Sequence, residues 1–280
     1  MNTPLDRGDR SHSAPGDPPG AATFIAPAEA YDRHIGRYGP ELARALIHAT
    51  GLRSGDRALD VGCGPGALTR ELVSALGAGH VAAVDPSPPF VQACRRRLPG
   101  VRVEVAAAES LPFADAAFDH ALAQLVVNFM TDPLAGVGEM RRVVRPGGTV
   151  AAAVWDYAGE MVILRCFWDA AIMLDPSAAD LDEGRCMPFC TPDRLGELLT
   201  AAGLAGVRVS AAVVAAGYED FEDLWRPLEL GVAPSGAYAS SLSGARRLAL
   251  KDGLRDRLGV GEGPFRLTAR AWIATGRAGE

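Results

Sequence analysis

The chain has 280 residues, 48% of them apolar and 22% charged, which suits one large domain better than two. Its formal net charge is -6, with 28 Lys+Arg against 34 Asp+Glu, so the basic excess of a dedicated nucleic-acid binder is missing. Only Lys251 among the 28 is lysine, which matches the arginine bias of a GC-rich genome and leaves no other lysine for Schiff-base chemistry.

Residues 1–28 are rich in Pro, Gly, Ser, Asp and Ala without an apolar period and read as a disordered tail. From Tyr31 the pattern turns helical, with Leu42, Ala45, Leu46 and Ala49 on one face until Gly51 closes it. A strand is predicted over Arg57 to Val61, then the glycine turn Gly62-Cys63-Gly64-Pro65-Gly66, then a helix from Ala67 to Leu76. A second strand runs from His80 to Val84 and ends at Asp85, and a helix is expected from Pro88 to Leu98. Val101 to Ala106 reads as a third strand, and Ala117 to Val127 contains a fourth. A helix over Leu134 to Val144 is stopped by Pro146-Gly147-Gly148, and Thr149 to Trp155 is a fifth strand, apolar enough to be buried on both faces.

The later part is less regular. An apolar helix is expected around Phe167-Trp168, a helix from Thr191 to Ala202 and a strand from Val207 to Ala215. The stretch from Tyr218 to Leu258 reads as mostly helical with a break at Gly231 to Ser243, and Phe265 to Thr275 as a last strand. Strands alternating with helices predict an α/β fold with a doubly wound, mostly parallel sheet. Its ligands then lie at the carboxyl ends of the strands.

Five cysteines are an odd number and form no CxxC pair, so no metal site is expected, and Cys186 and Cys190 read as inert buried thiols. No stretch approaches the ~18 uninterrupted apolar residues of a membrane helix. The N-terminus lacks the basic-then-apolar pattern of a secretion signal, so a cytoplasmic protein is expected.

The glycine turn offers close backbone approach and the free N–H groups of a helix start. Asp85 ends the second strand, where an acid can accept both hydroxyls of an adenosine ribose. That pairing serves NAD and S-adenosylmethionine alike, so these residues leave both cofactors open.

Leu59-Asp60-Val61-Gly62-Cys63-Gly64-Pro65-Gly66 resembles the first motif of class I S-adenosylmethionine-dependent methyltransferases. Glu109-Ser110-Leu111-Pro112-Phe113 with Phe118-Asp119, and Arg145-Pro146-Gly147-Gly148-Thr149, resemble later motifs of that family in the right order. The nearest group is the ubiquinone/menaquinone-biosynthesis-like small-molecule methyltransferases. The resemblance implies a seven-stranded Rossmann-like methyltransferase fold over 29–280, with lid segments near 157–190 and 218–258. It implies an enzyme that moves a methyl group from S-adenosyl-L-methionine to a small-molecule acceptor (EC 2.1.1.-) by in-line displacement.

Carried onto this sequence, the resemblance puts the backbone of Gly62, Cys63, Gly64 and Gly66 beside the methionyl part of the cofactor. Asp85 takes the ribose hydroxyls, and Pro86, Ala108 and Glu109 border the adenine. Gln124 faces the sulfonium region. Tyr31 and Arg37 close over the cofactor, Arg37 pairing with its carboxylate. Two positions depart from the pattern: Ala107 replaces an Asp or Asn, and Asn128 a His. No base is implied, and His34 and Asn128 are weak catalytic candidates. The aromatic residues Trp155, Phe167, Trp168, Phe189, Phe221, Trp225 and Tyr238 make the acceptor apolar or aromatic if they line the lid, and a second small core if they do not. The expected partner is that acceptor alone, with no nucleic acid, no membrane and a monomer or homodimer. Two alternatives stay open. One is an NAD(P)-dependent oxidoreductase, against which stands the absence of a Tyr-x-x-x-Lys pair; the other is a protein that binds the cofactor without transferring a methyl group.

Overall fold

A computed structural model describes residues 32–279; Tyr31 and the expected tail at 1–28 lie outside the described residues. Seven strands form one sheet: β1 (Ala58–Val61), β2 (Val81–Asp85), β3 (Arg102–Val105), β4 (Phe118–Gln124), β5 (Val144–Trp155), β6 (Leu204–Tyr218) and β7 (Phe265–Ala278). Their order is β3-β2-β1-β4-β5-β7-β6. The first five strands run parallel, whereas β7 inserts between β5 and β6 and is antiparallel to both.

The strands separate two cores by their period of two. In β5, Ala151 and Ala153 face one core with Leu122, Trp155 and Trp168, while Val150, Ala152 and Val154 face the other with Leu59, Val137 and Met140. The first core is covered by α1 (Gly39–Thr50), α2 (Ala67–Leu76) and α5 (Val162–Leu174); the second takes α4 (Pro133–Val143) and α6 (Pro192–Ala201). Helix α3 (Pro88–Arg97) packs beside β2 and β3. Three further helices, α7 (Phe221–Glu229), α8 (Ala233–Ser241) and α9 (Gly244–Leu258), fill the stretch before β7.

Two expectations need correction. The break at Gly231 to Ser243 contains the helix α8, because its small residues are packed rather than looped: Ser235, Gly236 and Ala239 are buried. A Cβ on Gly236 would come within 2.8 Å of the Gly231 carbonyl carbon, so α8 sits closely on the end of α7. Pro146-Gly147-Gly148 does not delay the fifth strand, which begins at Val144 and absorbs the three residues as an irregularity where its register on β4 shifts.

The strand order reverses between β1 and β4, each of which has the other as one neighbour. The crevice at the carboxyl ends of these two strands is where doubly wound sheets hold ligands. Among the described residues no helix is long and apolar enough to cross a membrane.

Candidate cofactor site

β1 delivers the glycine loop and β2 delivers Asp85 to the same crevice. The N–H groups of Gly62 and Cys63 both donate to the Val84 carbonyl, at 2.8 and 2.9 Å. The Gly64 N–H donates to Asp85 Oδ2 at 2.8 Å, and the Ser87 N–H donates to Oδ1 at 2.8 Å. Asp85 therefore ties the glycine loop to the loop after β2. Burial raises its pKa above the ordinary carboxylate range, and the two backbone N–H groups act the other way. Each carboxylate oxygen has a second lone pair, so the group still accepts from a ligand.

Gly62 has φ +73, and a Cβ there would lie 2.4 Å from Val126 Cγ2. Gly64 has φ +51, and a Cβ there would meet nothing within 4 Å, because the loop opens onto a cavity. That cleft spans about 830 Å³, counting the solvent at its open side. Of the residues expected at the cofactor, Gly62, Gly64, Asp85, Pro86, Ala108, Glu109 and Gln124 line it together. Glu109 is fixed from behind, its Oε1 accepting from the Asp132 N–H at 3.1 Å. Gln124 donates through Nε2 to the Gly39 carbonyl at 3.2 Å, and its Oε1 is buried without a partner among the described residues.

Other expected residues lie elsewhere. Gly66 packs against α3, where a Cβ would be 3.1 Å from Cys94 Sγ. The Cys63 side chain turns into a small core with Val91, Cys94 and Val103. Arg37 does not reach the cavity: its fork meets the Asp223 carboxylate at 3.0 and 3.1 Å, donates to the Gly217 carbonyl at 2.7 Å, and stacks 4.1 Å over the Tyr218 ring. The expectation that it pairs with the cofactor carboxylate overlooked a partner 186 residues away. Arg37→Ala should lower stability by about 1–3 kcal/mol, read from urea denaturation.

His34 is buried with both ring nitrogens unpartnered among the described residues, and burial followed by Arg37 lowers its pKa to about 3. It stays neutral at physiological pH and is a poor proton acceptor. Asn128 is buried and accepts the Phe189 N–H at 3.0 Å, so it holds the segment after α5 against the end of β4. Trp155, Phe167, Trp168, Phe221 and Trp225 are buried in the first core, with Phe189 and Tyr238 half-buried. Cys190 is buried as expected, but Cys186 is exposed.

Asp60, behind the glycine loop, is buried and accepts from Thr69 Oγ1 at 2.6 Å, while its Oδ1 has no partner among the described residues. Burial raises its pKa from 3.8 to about 8. A raised native pKa means the folded state holds the proton more tightly, so stability falls as pH rises from 3.8 to about 8. Asp60→Asn keeps an acceptor for Thr69 and cannot ionise. The variant should match the wild type near pH 4 and exceed it by a few kcal/mol above pH 8, read from unfolding curves across that window.

Sequence reasoning missed much of the cavity wall: Ser87, Phe90, Leu125, Val126, Phe129, Met130 and Thr131. Most of these follow β4, and the available signal was their place at the switch point of the sheet. Among the described residues lining the cavity, Asp85 and Glu109 are acidic and none is basic. Such a wall favours a cation over a pyrophosphate, and the orphaned Gln124 Oε1 is an acceptor for a cationic N–H group.

A family model described as a methyltransferase domain matches residues 59–152. The chain is 36% identical over 131 residues to malonyl-[acyl-carrier protein] O-methyltransferase of Pseudescherichia vulneris, covering 47% of this chain and 51% of that protein. It is 31% identical over 176 residues to demethylmenaquinone methyltransferase of Beutenbergia cavernae, covering 59% of this chain and 72% of that protein. A phosphoethanolamine N-methyltransferase from Haemonchus contortus, solved with phosphomonomethylethanolamine and S-adenosylhomocysteine, shares the fold with a TM-score of 0.56 and 18% identity, over 89% of this chain and 56% of that one. The chain spans only part of several curated relatives it matches, 34% and 51% of two of them.

Proposed function

The chain belongs to the class I S-adenosylmethionine-dependent methyltransferase family, and from that premise we propose that it transfers the methyl group of S-adenosylmethionine to a small-molecule acceptor. The observation that carries the reading is the Asp85 carboxylate, held beside an open glycine loop in a cavity whose charged residues, among those described, are both acids. The same wall argues against NAD(P), whose pyrophosphate would meet Asp85 and Glu109 with no basic side chain among the described lining residues.

When bound, the cofactor supplies an electrophilic methyl group on a sulfonium that leaves as a neutral thioether. The chain's own residues then bind and align. Asp85 accepts the ribose hydroxyls on its remaining lone pairs, and Gly62 and Gly64 leave room for the methionyl part. Pro86, Ala108 and Glu109 border the adenine. Gln124 Oε1, without a partner among the described residues, accepts from the ammonium end. The remaining task is to hold the acceptor in line and to keep water out. The segments near 157–190 and 218–258 form the lid in this reading; its support is the Asn128–Phe189 bond and the Arg37–Asp223 pair, which fix the two segments to the sheet and to the residues before α1. An apolar or aromatic acceptor and a cytoplasmic location complete the proposal.

The test is calorimetric titration with S-adenosylmethionine and with NADPH, followed by incubation with methyl-labelled cofactor and a panel of acceptors. Binding of the first ligand only, with a labelled product, is the expected result. Absence of S-adenosylmethionine binding refutes the proposal, and binding without product across the panel favours a cofactor-binding protein.

A further inference from the structure

We propose that Cys63 and Cys94 close into a reversible disulfide when a hydroperoxide oxidises them, and that this bond lowers the affinity of the glycine loop for the cofactor; the second part rests on the methyl-transfer reading above. Cys63 belongs to the glycine loop and Cys94 to α3, and both are free thiols. They share one small core with Ala83, Val91 and Val103. The loop and α3 are in direct contact there. Arg97 Nη1 donates to the Pro65 carbonyl at 3.2 Å. A Cβ on Gly66 would come within 3.1 Å of Cys94 Sγ and 3.2 Å of Leu98 Cδ1. The Gly66 N–H in turn donates to the Cys63 carbonyl at 2.9 Å, so one tight turn carries Cys63 at its start and rests on Cys94 at its end.

The two thiols are hydrogen-bonded to each other. That bond, followed by burial, raises the Cys63 pKa; it lowers the Cys94 pKa, against the effect of burial. Cys94 is therefore the readier of the pair to carry the reactive thiolate. Cys63 is 6% exposed and Cys94 not at all, so the oxidant has to be small, as hydrogen peroxide is. The chemistry balances with that oxidant alone. One sulfur bonds to a peroxide oxygen, the O–O bond breaks, and the leaving hydroxide takes the thiol proton as water. The second sulfur then attacks the sulfenic sulfur. The S–S bond forms, the S–O bond breaks, and the hydroxide leaves with the second thiol proton as another water. The two thiols lose two electrons and the peroxide gains them.

A disulfide holds its sulfurs about 2.05 Å apart, closer than two separate thiols approach. Closing it draws the Cys63 side chain toward α3, while the Cys63 N–H stays tied to the Val84 carbonyl at 2.9 Å. The strain passes to the next residue, Gly64, whose N–H holds Asp85 Oδ2. The other carboxylate oxygen is held by Ser87, the residue before α3. The new bond thus links the two segments whose spacing sets the Asp85 carboxylate, the group assigned to the ribose hydroxyls. Linkage makes the effect reciprocal: a ligand that binds the reduced form better must disfavour the disulfide by the same factor.

The experiment treats the full chain with hydrogen peroxide, maps its disulfides by peptide mass, and measures S-adenosylhomocysteine affinity by calorimetry before oxidation, after it, and after dithiothreitol. Wild type, Cys94→Ala and Cys186→Ser are compared; the exposed Cys186 is the control for oxidation elsewhere. The wild type should show a Cys63–Cys94 link and bind the ligand about tenfold or more weakly, with dithiothreitol restoring the affinity. Cys186→Ser should behave like the wild type, and Cys94→Ala should keep its affinity through the treatment. Saturating ligand should lower the yield of the link in the wild type. Absence of that link overturns the proposal, as does unchanged affinity in the linked protein or an equal loss in Cys94→Ala. Should Cys94→Ala fail to fold, a yield that ligand does not lower overturns it. Failure of the reduced wild type to bind S-adenosylhomocysteine would remove the methyl-transfer reading and the control of binding with it, while the disulfide map still decides whether the bond forms.

Discussion

Asp85→Ala should weaken S-adenosylmethionine binding by about 100-fold or more, because it removes two kinds of interaction at once. The ribose hydroxyls lose a charged acceptor, and hydrogen bonds to charged groups contribute about 1.5–3 kcal/mol each. The Gly64 and Ser87 N–H groups also lose their shared partner, so the glycine loop and the loop after β2 are no longer tied together. Asp85→Asn separates the two effects. Its single amide oxygen serves one N–H, while its NH2 opposes the other, donor against donor. The wild-type affinity should also fall as the pH drops through the raised Asp85 pKa, since only the ionised carboxyl offers all its lone pairs. Calorimetry on the three proteins checks this; wild-type affinity in Asp85→Ala would remove the carboxylate from the cofactor site.

Gly62→Ala should cost about 2–5 kcal/mol of stability, with cofactor binding lost alongside it. The new Cβ would stand 2.4 and 2.6 Å from the two Val126 methyl carbons and 3.0 Å from Val126 Cβ. That neighbour is a stiff β-branched side chain, not the far end of a flexible one. The backbone at φ +73 adds a second cost that no repacking relieves. A double-mutant cycle divides the two: Val126→Ala should recover the steric share in the Gly62→Ala background and leave the backbone share. Urea unfolding of the four proteins reads both. A Gly62→Ala protein as stable as the wild type would show that the loop relaxes away from Val126.

The parts that were legible in the sequence are those written in neighbouring residues. The helix over Ala67–Leu76 has the bounds its apolar spacing predicts, and Gly51 ends α1 in the left-handed conformation its composition suggests. Asp85 was found because strand, turn and acid lie within one βαβ unit. What stayed hidden depends on pairings across the chain. Arg37 looked available until Asp223 met it from 186 residues away. Glu183 was not singled out at all, since nothing local says that the Trp168 indole N–H donates to its buried carboxylate. Leu125 gave no sign of its φ of +64, a conformation glycine usually takes, which the structure imposes at the end of β4. The helix in the Gly/Ser/Pro stretch was missed because small residues there serve close packing rather than a turn.

A second, smaller hollow, with Ile35, Trp155, Leu164 and Glu183 among its walls, shares only Leu125 and Phe129 with the cofactor cavity among the described residues. The cofactor side is drawn from the loops after β1, β2, β3 and β4, whereas the rest of the second cavity comes from the residues before α1, the end of β5, α5, the turn at Glu183 and the start of α8. A drifting lineage can therefore rewrite nearly all of the second wall without disturbing Asp85 or the glycine loop. A protein engineer has the same freedom. Changes at Leu164, Glu183 or Pro234 alter one hollow, while a change at Leu125 or Phe129 alters both at once.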